Sequence, residues 1–157
     1  MKHPIIRDHY TSNEVYLIGE FSLIFSWLET VLSIAIAALE GNSNSLDNSI
    51  LKLTFSNKIK RLKKAANEIP IANVKEYFLQ RAQELDIIRE QRNNLFHSSI
   101  LIYAEKTELI RMRDYESMKF DERKIKELST TSIETANLLI ELLIQMKLLN
   151  AYDAPAN

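Results

Sequence analysis

A chain of 157 residues with 46% hydrophobic side chains has the length of one domain and enough apolar surface for a core. Its formal charge of −1 excludes a broad basic field for duplex DNA, so any nucleic-acid contact has to come from a local patch. The absence of cysteine excludes disulfides, thiolate metal sites and a thiol nucleophile, and two glycines with three prolines exclude Gly-rich phosphate loops and turn-dense β architectures.

The opening MKHPIIRDHY has no apolar run followed by a small-residue cleavage site, so no secretory leader is expected. The first helix is predicted over about residues 13–40, with Ser12 as N-cap and Gly41 as its stop. Leu17, Phe21, Ile24, Leu28, Val31, Leu32, Ala35 and Leu39 form its main stripe, while Leu23, Trp27 and Ile34 lie outside that stripe. A helix apolar over more than half its circumference is covered on two sides, by a bundle or by a bundle plus a second subunit. Glu20 and Glu29 interrupt this segment, so a buried helix of a soluble, cytoplasmic protein is expected rather than a membrane span.

GNSNS reads as a loop. A second helical block is predicted over about residues 46–67, broken near residues 54–56, where Ser56 is placed to cap NKIKRLKKAAN, and Pro70 ends it. A third runs over about residues 72–94. SSILIYAEKTELIRMRDY then reads as a short β-hairpin packed on the bundle, with its turn at Glu105-Lys106. The last helix is predicted over about residues 121–150, capped by Asp121, with Ile125, Leu128, Ala136, Leu139, Leu143 and Met146 inward. The expectation is one all-α domain, a helical bundle over residues 1–150 with a small hairpin before the last helix, and a frayed tail at 151–157.

The stretch IIREQRNNLFHSSI carries the candidate chemistry. On a helix Phe78, Leu85, Ile88, Leu95 and Phe96 share a face, and Arg92 falls in the middle of it. A guanidinium in an apolar stripe needs a partner. That partner is either a carboxylate, Glu20 or Glu29, or a phosphate in a cleft. His97 follows five residues later, about 140° round the helix if the helix stays regular. Arg92 and His97 then meet only if the helix unwinds near Asn94 or if two chains share one cleft. His97 also reads as a cation at a helix C-terminus, favoured by the macrodipole. Asn93 lies one turn before His97 and on its side. It is placed to orient the imidazole or to donate to phosphate, or is an ordinary helix-end residue.

These residue types suit metal-free RNA cleavage. Imidazole, with a reference pKa near ~6.5, takes the 2′-hydroxyl proton near neutral pH. A forked guanidinium meets the charge that builds on phosphorane oxygens. Arg89, one turn before Asn93, is a candidate substrate contact. So are Lys60 and Lys63 in the basic run Lys58, Lys60, Arg61, Lys63 and Lys64, which otherwise reads as a solvated helix face with Ile59 and Leu62 inward. His3 and His9 lie near the terminus, and no carboxylate–histidine spacing suggests a metal site or another cofactor.

The layout of four helices with a hairpin before the last resembles the HEPN superfamily (higher eukaryotes and prokaryotes nucleotide-binding). LIGEFSLIFSWLETVL resembles its first helix, LTFSNKIKRLKK the second-helix region of some of its families, and IREQRNNLFH its Arg-x4–6-His signature. The resemblance implies a homodimer, joined through the first and third helices, whose paired motifs form one cleft. In active members it implies metal-independent endoribonuclease activity on an RNA substrate. It also implies a setting in toxin–antitoxin or phage-defence systems, where the partner is an antitoxin protein. Inactive members imply the alternative, a non-catalytic dimerisation, nucleotide-binding or protein-interaction module.

Overall fold

The computed structural model describes residues 11–41, 47–96, 98–103, 106–111, 116–119 and 121–146, with side chains described outside residues 96–119. Among the described residues there are five helices: α1 (Ser12–Leu39), α2 (Asn48–Leu51), α3 (Phe55–Asn67), α4 (Ala72–Phe96) and α5 (Glu122–Gln145). They make an all-α bundle.

Helix α1 starts one residue earlier than the sequence suggested. Thr11, not Ser12, is the N-cap: its hydroxyl accepts from Glu14 N at 3.2 Å, and the Glu14 carboxylate accepts from Thr11 N. This reciprocal capping box satisfies two otherwise orphaned amides, which Ser12 with Val15 three residues on cannot do. At the other end Gly41 follows the C-cap with φ +77, a conformation that costs side chains with a Cβ roughly 1–2 kcal/mol. Gly19 differs, because a Cβ there meets nothing within 4 Å in mid-helix. Two alanine substitutions should therefore have opposite signs. Gly19→Ala is expected to raise the melting temperature by ~2–4 °C and Gly41→Ala to lower it by at least as much, measured by thermal unfolding followed by circular dichroism.

The break between α2 and α3 falls where the sequence placed it, but Thr54 rather than Ser56 caps α3, accepting from Asn57 N at 3.3 Å. Asp47 caps the single turn of α2 through the amide and hydroxyl of Ser49. The backbone and side-chain hydrogen bonds from Ser49 hold the Asp47 carboxyl below its ordinary pKa. A depressed carboxylate stabilises the fold above its unfolded pKa and loses that contribution as pH falls through the lower folded value. The α2 cap is thus intact at neutral pH and lost in strong acid. An NMR titration of Asp47 should show a midpoint below that of a free aspartate, and Ser49→Ala should move it up.

Helix α1 packs along α5 and also against α3; α4 packs against the same two, so α1 and α4 lie diagonally across one core. Asn13 Nδ2 donates to Glu122 Oε1 at 2.8 Å, which puts the first turns of α1 and α5 side by side and makes them parallel. Contacts of Lys63 with Asp86 and of Lys75 Nζ with the Asn67 carbonyl show α3 and α4 folding back on each other around Pro70. Phe21, Leu28, Leu32, Ile59, Leu62, Phe78, Leu85, Ile88, Leu139 and Leu143 are fully buried. Helix α1 is by length and composition apolar enough to cross a membrane, yet half of its most apolar window is buried inside the bundle.

Between α4 and α5 the chain forms an antiparallel sheet in the order β1 (Ser98–Tyr103), β2 (Lys106–Arg111), β3 (Glu116–Lys119). This corrects the expected hairpin twice. Lys106 pairs with Tyr103 as the first residue of β2 rather than sitting in a turn, and a third strand joins β2 with Arg111 opposite Glu116. The expected tail at 151–157 lies outside the described residues.

Candidate functional site

Helix α4 is unbroken through Phe96 and β1 begins at Ser98. The unwinding near Asn94 that would have brought Arg92 and His97 onto one face is therefore not seen. His97, the residue between helix and strand, lies outside the described residues, as do His3 and His9.

Arg92 is half-buried one turn before the helix ends. Its guanidinium lies over the Phe25 ring, 5.2 Å from the centroid, and its Nη1 donates to Asn93 Oδ1 at 3.2 Å. Phe25 is in turn packed on Phe55 at 4.7 Å between centroids and on Phe21 at 6.0 Å. This answers how a cation sits in an apolar stripe: a weakly hydrated planar guanidinium stacks on an aromatic face. The answer lies within one chain, so the apolar setting of Arg92 no longer calls for a second subunit. Asn93 meets Arg92 through its carbonyl oxygen.

Neither carboxylate suggested for Arg92 takes that place. Glu29 accepts from Lys58 Nζ at 2.7 Å, and Glu20 is exposed. The basic run of α3 is the solvated face it resembled only in part: Ile59 and Leu62 turn inward as expected, but one of the lysines goes in with them. Lys58 is 3% exposed, because α3 crosses α1 at Phe25 and Glu29. Arg61 grips Glu40 with Nε and Nη2, both at 2.7 Å, and the Glu40 carboxylate holds the Arg61 pKa above its usual value. Lys63 Nζ lies 2.7 Å from Asp86, whose other oxygen is 3.3 Å from Arg89 Nε. Arg89 and Lys63 are thus brought together, but on a shared carboxylate. Lys60 and Lys64 are exposed.

Sequence reasoning missed a second buried cation. Arg81 is 7% exposed, lies 2.7 Å from Glu84, and stacks over Tyr77 at 4.9 Å. Its Nε has no hydrogen-bond partner, and Thr135 of α5 donates to the other Glu84 oxygen at 3.4 Å. The signal was available: Arg81 is about 40° from Leu85 on the helical wheel, on the same face as Arg92. Among the described residues no three His, Cys, Asp or Glu side chains gather as a metal cage. A shallow groove of about 730 Å³ at the start of α5 is lined by Asp121, Glu122 and Glu127 against Arg123 and Lys126, a net acidic lining unsuited to phosphate. Compared with family models, curated proteins and solved structures, the chain matches none.

Proposed function

We propose that the protein is a metal-independent endoribonuclease of the HEPN kind, acting on cytoplasmic RNA in a toxin or phage-defence setting. The observation that carries the reading is Arg92, anchored on Phe25 and Asn93 one turn before the end of α4, with His97 next in sequence beyond the helix, in a helical bundle. In this reading His97 takes the proton of the substrate 2′-hydroxyl. The 2′-oxygen attacks the adjacent phosphorus, and the bond to the 5′-oxygen breaks. The proton passes to that leaving oxygen. Arg92 meets the charge on the phosphorane. A homodimer belongs to the reading, because two α4 ends side by side supply each cleft with an Arg92 and a His97 from different chains. Sedimentation at micromolar concentration is expected to show two chains, and a monomer would count against the paired cleft.

The test is cleavage of a synthetic RNA in EDTA. The expected products are a 2′,3′-cyclic phosphate and a 5′-hydroxyl. Activity that EDTA abolishes and Mg²⁺ restores, or equal activity on DNA, would sink the mechanism. The second reading is a non-catalytic interaction module. It is favoured by the engagement of Lys63 and Arg89 with Asp86, which leaves fewer cations to meet phosphate.

A further inference from the structure

We infer that the seam between α1 and α5 is a docking groove for an amphipathic helix of another protein, one that carries lysine or arginine beside its apolar stripe. On α1, Tyr16, Leu23, Trp27 and Ile34 fall within ~40° of one another. Phe25 and Glu29, which touch α3, lie on the opposite side of that helix. On α5, Ile133, Ile140 and Ile144 also fall within ~40°, and Thr135, which reaches α4, lies opposite them. Both apolar stripes therefore turn away from α3 and α4 and flank the line along which α1 packs on α5. The Asn13–Glu122 bond sets the level of the two helices. Counting up from it, Leu23 comes level with Ser132 and Ile133, and Ile34 with Leu143 and Ile144.

This face is open. Leu23 is 76% exposed, Trp27 39%, Ile133 38% and Ile144 41%. Exposed large apolar side chains lining two adjacent helices suit the apolar face of a third.

Charge selects the occupant. Among the described residues, the exposed ionisable groups beside the middle and upper part of the apolar stretch are Glu20 on α1 and Glu134 and Glu141 on α5, with Glu122 at its lower end. The described cations of this face, Arg123 and Lys126, sit in the first turns of α5, and Arg123 is already held by Glu127 at 2.8 Å. A second copy docked face to face would set acidic edges against acidic edges. An anionic lipid surface would meet the same repulsion. A helix flanked by lysine or arginine complements these carboxylates.

Trp27 is the single tryptophan of the chain and sits within the groove, so its fluorescence reports occupancy directly. The probes are two synthetic helices about 20 residues long with the same leucine stripe, one flanked by lysine and one by glutamate. The lysine-flanked helix should shift Trp27 emission to the blue with saturation, and the glutamate-flanked one should bind at least ten times more weakly. Glu134→Lys with Glu141→Lys should reverse that order, and Leu23→Asp should abolish the shift. All three positions are exposed, and far-ultraviolet circular dichroism checks that the variants stay folded. Equal affinity for both helices, or no shift with either, overturns the proposal. So does a shift produced by raising the concentration of the chain alone, which would make the face a self-interface. A shift with zwitterionic vesicles would make it a lipid-binding face and overturn it as well.

Discussion

Replacing His97 by alanine is expected to slow RNA cleavage ~10²–10⁴-fold, the usual cost of removing a general base. Arg92→Ala should lower the rate by a comparable ~10²–10³-fold through loss of a phosphorane donor. The two variants should part company in stability. Arg92 lies on the Phe25 ring, and that cation–π contact is worth ~0.5–1 kcal/mol, so its alanine variant should melt slightly lower. A loss of ~3–5 kcal/mol would instead be the signature of a broken buried ion pair, a role that Glu29, engaged by Lys58, does not fill. The check is single-turnover cleavage in EDTA beside thermal melts. A severe stability loss in Arg92→Ala together with unchanged cleavage in His97→Ala would end the nuclease reading and leave the interaction module.

The second large effect belongs to the core. The Lys58 side chain is 4% exposed and its ammonium lies 2.7 Å from Glu29, which keeps 36% of its own surface in water. Glu29→Ala strands a buried ammonium. The expected cost is ~2–3 kcal/mol, below the ~3–5 kcal/mol of a fully enclosed pair because water reaches the carboxylate side. The double substitution Glu29→Leu with Lys58→Met removes both charges and should fall within ~1 kcal/mol of the parent. Urea denaturation of the single and double variants separates these outcomes. If Glu29→Ala costs less than ~0.5 kcal/mol, the ammonium is solvated and the pair does not hold α3 on α1.

The helices were legible because their signals are local. Asp121 at the head of a periodic run, Gly41 after the first helix and Pro70 after α3 each act through the backbone of their own segment, and each marks the boundary found. Thr11 was misjudged in favour of Ser12 because only Thr11 has a glutamate three positions on to return the bond; Thr54 caps α3 through the Asn57 amide alone, a bond that any following residue could donate, so nothing in the local sequence favoured it over Ser56. The site was legible only in part. Helical periodicity places Arg92 on the apolar face but cannot say that Phe25, 67 positions earlier in the chain, lies beneath it. It cannot say either that Lys58 turns inward to a carboxylate on α1, since a run of lysines on a polar face normally stays in water. Arg81 was equally visible and passed over, because no histidine follows it at a suggestive spacing.

Among the described residues the most extensive helix pairing joins α1 to α5, the first and last of the described helices. The hairpin of α3 and α4 closes over a few residues, whereas α1 and α5 meet only after nearly the whole sequence is available, and contacts so distant in sequence form late. On a ribosome the 106 residues from Leu39 to Gln145 take roughly 5–20 s to add. Through that interval α1, with a mean hydropathy of 1.9 over its most apolar window, lacks its largest covering surface. The nascent chain therefore passes through a period in which its most water-averse helix is open to chaperones, to insertion machinery and to other nascent copies, and the pace of synthesis decides how long that exposure lasts.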